Sequence, residues 1–202
     1  MIKLTDTLDG NSSDGVYLYS IATYDNTFYF GATTESEGVE LWSSDGTVGG
    51  TSLLIDFELG AGSSSPYTLF QDNELLFLSV VTSNQGRELW SLNMSDNSFQ
   101  ILKDIATGPS NGIPMLNYNT YNAFAKGADG LYYFAASNES YGTELWRTDG
   151  TSSGTRLFKD LAPGLISSMP GSLQSTEGFL FFRALHTDYG YETWRYTFPE
   201  IP

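Results

Sequence analysis

Apolar residues along this chain gather in short runs broken by polar turns. Four runs are rich in aromatics and centre on Phe30, Phe77, Phe134 and Phe182, each five residues after the acid of Asp25-Asn26, Asp72-Asn73, Asp129-Gly130 or Glu177-Gly178. Such pairs tolerate the positive φ of a tight turn, which predicts a hairpin just before each aromatic strand. Downstream of each run comes Gly-x-Glu-(Leu or Thr)-Trp: Gly38 to Trp42, Gly86 to Trp90, Gly142 to Trp146 and Gly190 to Trp194, with tryptophan spacings of 48, 56 and 48. A third landmark is Asp followed four residues later by Gly: Asp6/Gly10, Asp56/Gly60, Asp104/Gly108 and Asp160/Gly164. Six residues past each Gly stands Val16, Pro66, Pro114 or Pro170.

Three landmarks recurring four times in one order mark an internal repeat. The unit reads as four short strands, at 16–24, 27–33, 39–44 and 51–57 in the first copy. The second gives 66–71, 74–80, 87–92 and 98–104; the third 117–126, 131–136, 143–148 and 154–160; the fourth 171–176, 179–185 and 191–196. Short antiparallel strands repeating every ~40–50 residues predict propeller blades. The fourth copy has no outer strand after Trp194, whereas residues 2–8 (IKLTDTL) align with the outer strands of the other three copies. The expected fold is therefore all-β, a four-bladed propeller of four-stranded antiparallel blades closed by the N-terminal strand, which would remove an exposed sheet edge. It forms one domain over 1–202, with repeats of approximately 2–52, 53–100, 101–156 and 157–202.

Composition agrees. Of 202 residues, 15% are aromatic, 16% are charged and 21 are glycine, a turn-rich balance poor in helix formers. The net charge of −15 speaks against nucleic acid and anionic membranes as partners. The absence of cysteine excludes thiolate metal sites, cysteine nucleophiles and disulfides, while leaving the compartment open. No apolar run reaches the ~18–20 residues of a membrane helix. The opening MIKLTDTLDG lacks a basic-then-apolar signal pattern, so the chain is expected to be intracellular or to have lost its signal.

The stretches ELWSSDGTVGGT (40–51) and ELWRTDGTSSGT (144–155) carry a resemblance: they are similar to the ELWxxDGT repeat family of large bacterial secreted and surface proteins. The second copy keeps ELW and replaces the turn with SLNMSDNS (91–98), and the fourth has only ETW. The resemblance covers almost the whole chain. It implies a propeller-like repeat in an extracellular or cell-surface setting, and it names no activity.

Each tryptophan, Trp42, Trp90, Trp146 and Trp194, reads as a structural residue packing between neighbouring sheets; the alternative is a sugar-stacking ring on every blade. Glu40, Glu88, Glu144 and Glu192 occupy equivalent positions. Either they ring a calcium ion with hard oxygen ligands, or each accepts backbone N–H groups as a strut. The Asp-Gly-Thr turns are too short for a calcium loop of twelve residues. No cofactor other than calcium is suggested. No catalytic motif is present, and the single histidine, His186, lies between strands two and three of the fourth copy.

The copies differ most between Pro114 and Asp129, where the third carries extra Tyr and Asn. Asn117, Tyr118, Asn119 and Tyr121 there suit a protein surface or a sugar. With Tyr141, His186 and Tyr189 on loops expected at one end of the blades, they form the candidate ligand site. The expected function is a non-catalytic extracellular or cell-surface binding module engaging a protein or glycan through its loop face. The alternative is a structural subunit of a larger surface assembly, with a homo-oligomer open; a hydrolase ranks last.

Overall fold

The computed structural model describes residues 15–115 and 123–199. Fifteen strands lie among them, in four antiparallel sheets whose strands follow one another in chain order. The chain divides into two compact units, Met1–Gln100 and Ile101–Pro202, with the boundary inside the eighth strand.

Unit 1 holds two sheets. The first comprises β1 (Val16–Tyr24), β2 (Thr27–Thr34), β3 (Gly38–Ser44) and β4 (Thr51–Ile55); the second comprises β5 (Tyr67–Asp72), β6 (Leu75–Thr82), β7 (Gly86–Asn93) and β8 (Ser98–Lys103). Their shared core joins Ala22, Tyr29, Leu41 and Ile55 to Leu76, Leu78, Val80, Leu92 and Met94, with Trp90 and Phe57 packed against it. Each large side chain so buried contributes about 1.5–3 kcal/mol. The Tyr29 hydroxyl donates to the Met94 carbonyl at 3.0 Å, so that its polar tip is satisfied inside the core.

Unit 2 repeats the plan. Its first sheet comprises β9 (Phe124–Lys126), β10 (Tyr132–Asn138), β11 (Gly142–Thr148) and β12 (Arg156–Lys159). Its second has three strands among the described residues, β13 (Gly171–Ser175), β14 (Phe179–His186) and β15 (Gly190–Thr197). Tyr133, Leu145 and Leu161 pack with Leu173, Leu180, Phe182 and Phe198. The Tyr133 hydroxyl donates to Asp129 Oδ2 at 2.7 Å. Burial first, then that bond to a carboxylate, pushes the hydroxyl's pKa well up.

The repeat is visible in the pairing. Trp42, Trp90, Trp146 and Trp194 sit opposite Phe30, Leu78, Phe134 and Phe182. A register shift recurs between Leu41 and Trp42 and between Leu145 and Trp146. The sheets are thus propeller-like, all-β and of blade topology. One sequence landmark needs correction. In the second copy the turn is Asn73-Glu74 rather than Asp72-Asn73, because Asp72 pairs with Leu75, and Leu78 comes to lie opposite the tryptophan. In the first copy the turn is Asp25-Asn26, with φ of 43° and 62°. The expected closing strand at residues 2–8 lies outside the described residues, as does most of the long stretch before Phe124.

The Asp-Gly-Thr segments are turns with internal chemistry. Asp149 Oδ1 accepts the Thr151 N–H at 2.9 Å and its hydroxyl at 2.6 Å, and the Thr151 hydroxyl accepts the Gly154 N–H at 3.0 Å. Asp45, Thr47 and Gly50 repeat these bonds. A Cβ on Gly50 or Gly154 would overlap that carboxylate, which is why the motif needs its second glycine. The aspartate is spent on the turn rather than offered to an ion.

Candidate functional site

The most developed polar site is a carboxylate strut that two sheets share. Glu40 lies on β3 opposite Ala32, and Glu144 on β11 opposite Ala136; the small partners leave room for a buried side chain. Both glutamates are fully buried. Glu40 accepts the Phe57 N–H at 3.0 Å, the Ser64 N–H at 2.8 Å and the Ser64 hydroxyl at 2.5 Å. Glu144 accepts the Leu161 N–H at 2.8 Å, the Ser168 N–H at 2.9 Å and the Ser168 hydroxyl at 2.6 Å. The partners stand 17 and 24 residues after each glutamate in both cases. One side chain therefore ties the exit of an outer strand to the segment that leads into the next sheet.

Those crossing segments are themselves anchored alike. The carbonyls of Gly15, Ser64, Gly112 and Ser168 accept from Thr33, Val81, Ser137 and Leu185, at 3.1, 2.8, 2.7 and 2.8 Å. Ser63 and Ser167 hydroxyls accept the Val39 and Thr143 N–H groups. Sequence reasoning reached the glutamates but missed these serines; the signal was the Ser-Ser step at a fixed distance from each glutamate.

Burial raises the carboxyl pKa of Glu40 and Glu144, partly opposed by their hydrogen bonds, and a nearby aspartate (Asp56 or Asp160) adds to the rise. The folded chain then holds these protons more tightly than the unfolded one. Their stabilising contribution is complete below the ordinary glutamate range and is lost as pH climbs through the raised values. Asp45 and Asp149 are lowered, first by the threonine hydroxyl bond, and act in the opposite sense as pH falls. They sit in solvent, where screening keeps the effect small. Net charge of −15 adds self-repulsion toward neutral pH. The melting temperature is expected to be higher at pH 5 than at pH 7.5, with Glu144→Gln flattening the decline in calorimetric scans. A melting temperature that rises over this interval would contradict the direction assigned to the buried carboxyls.

The remaining candidates are placed as follows. Asn117, Tyr118, Asn119 and Tyr121 lie outside the described residues. Glu88 is buried and Glu192 is exposed on β15. Among the described residues, no group of three or more His, Asp or Glu side chains is placed to hold a metal ion. Trp146 is buried and Trp90 and Trp194 are partly buried against the cores. His186 and Tyr189 come together, ring centroids 4.8 Å apart, with Trp194 5.4 Å from His186. Tyr141 stands on the corresponding turn of the preceding sheet, partly exposed.

No protein-family model matches the chain, and no curated protein matches it. Among solved structures it is similar to a mutant of the GH43 glycoside hydrolase BlXynB from Bacillus licheniformis, with a TM-score of 0.32 and 16% identity over 93% of this chain. This chain spans 41% of that protein's length. The finding runs against the expected non-catalytic module engaging a protein or glycan through its loop face, since the match is an enzyme; that expectation is corrected and dropped. A likeness this slight gives this chain no activity of its own.

Proposed function

We propose that this chain is a structural repeat module: a four-bladed propeller whose fourth sheet is completed by residues 2–8. The observation that carries the reading is the buried glutamate strut, met twice with the same spacing and the same three donors. Carboxylates so enclosed have no face left for a substrate, and their chemistry is spent on holding the crossings between sheets. Membership of the ELWxxDGT repeat family and an extracellular or cell-surface setting belong to the same proposal; the motif at 40–51 and 144–155 supports both.

The residue pattern supports the completion of the fourth sheet. Three sheets have a fourth strand followed by an Asp that lies four residues before a Gly, and β15 is the edge of its sheet among the described residues. Asp6 and Gly10 supply that missing pair. A panel of aryl glycosides, assayed with the purified chain and with Glu144→Gln, tests the strut role of the glutamate. No turnover that depends on Glu144 is expected; turnover by the native chain that the variant loses would overturn it.

A further inference from the structure

The turn joining the second and third strands of each sheet is capped by the side chain eight residues before the tryptophan. Thr34 accepts the Glu37 N–H at 3.0 Å, Thr82 accepts the Gln85 N–H at 3.3 Å, and Asn138 accepts the Ser140 and Tyr141 N–H groups at 3.0 Å. In the fourth sheet the equivalent residue is His186, whose Nδ1 accepts the Asp188 N–H at 3.1 Å. The hydroxyl and amide caps keep their acceptor at any ordinary pH. An imidazole does so only while neutral, because both ring nitrogens of the protonated form are donors.

We propose that the His186–Gly190 turn is a proton-sensitive element, ordered by neutral His186 and loosened when its ring takes up a proton. Protonation removes the only acceptor atom the ring can turn toward the Asp188 N–H. Tyr189 and Trp194 rings lie within 4.8 and 5.4 Å, and aromatic faces attract cations. Asp188 is in the turn itself, and Glu192 shares the His186 face of the β14–β15 pair, where Ala184 lies opposite it. The strand alternation puts Arg183 and Arg195 on the other face, where they cover Tyr191 and Phe179. No cation lies on this face among these residues. The consequence is local: Tyr189, whose N–H bonds the His186 carbonyl at 3.3 Å and whose ring is 66% exposed, changes its presentation as the turn opens.

His186 is the only histidine in the chain, so no second imidazole contributes to the response. Amide exchange of Asp188 and Tyr189 in the full chain is the test, with rates corrected for intrinsic pH dependence. Protection at these amides should fall about fivefold from pH 8 to pH 5, the effect of losing one hydrogen bond. In His186→Asn, which keeps a neutral cap like Asn138, protection should stay constant. Unchanged protection in the native chain while the ring signals titrate would overturn the proposal, as would an equal loss in His186→Asn, or a ring that takes up no proton in this range.

Discussion

Replacing Glu144 with Ala is expected to destabilise unit 2 by about 3–4 kcal/mol, since two buried N–H groups and one hydroxyl lose their acceptor at once and each unmet buried donor costs roughly 1–3 kcal/mol. Water entering the vacated space keeps the total below the simple sum. For a unit of about this size, 1 kcal/mol shifts the melting temperature by roughly 4–8 °C, so a fall on the order of 15–25 °C is expected. Two milder variants divide the effect. Ser168→Ala removes the hydroxyl alone and should cost about 1 kcal/mol. Glu144→Gln keeps one acceptor oxygen, turns an NH2 toward donors, and should fall between the two. A loss below about 1 kcal/mol for Glu144→Ala would mean that the carboxylate holds nothing essential.

Gly38→Ala is expected to cost unit 1 about 3 kcal/mol, from an unfavourable backbone angle added to an overlap that a packed interior resists. Gly38 opens β3 with φ at 64°, and a Cβ there would run into the backbone carbonyl of Gly62 and the Ser63 hydroxyl. The atom in the way is main chain, so no rotamer relieves it. The displaced segment is the one whose Ser64 binds Glu40, and the variant should therefore lose strut and turn together. Gly60→Ala is a fitting control: its φ of 86° is equally unfavourable, but the added Cβ meets open space. Denaturant unfolding should place Gly38→Ala well below Gly60→Ala. Equal losses would mean that the backbone angle alone matters.

The architecture was legible because its signals are local and repeated. The first strand matches its expected span residue for residue, and the Gly-x-Glu-Leu-Trp segments all fall on third strands. The second hairpin lies one residue later than expected, at Asn73-Glu74, because the adjacent apolar residues Leu75, Leu76, Phe77 and Leu78 give no alternation to fix the register. The strut was half legible. A recurring glutamate could be seen, but its donors are mainly backbone amides, at Phe57, Ser64, Leu161 and Ser168, and an amide leaves no mark on a side-chain pattern. His186 read as a ligand candidate because its loop was expected at the same end of the blades as those of Tyr141 and Tyr189. Its role as a turn cap appears only when Thr34, Thr82 and Asn138 are superposed on it, three side chains that share an acceptor atom and little else. The ligand expectation centred on Tyr118 and Tyr121 falls outside the described residues.

The central claim is that residues 2–8 are the fourth strand beside β15. Hydrogen exchange at the β15 amides, Gly190 to Thr197, measured in the full chain and in one lacking residues 2–8, tests it most directly. The account predicts that those amides not paired with β14 are protected in the full chain and exchange freely in the shortened one. It also predicts that a peptide of sequence IKLTDTLDG restores their protection. Identical exchange in both chains, with no response to the peptide, would contradict it.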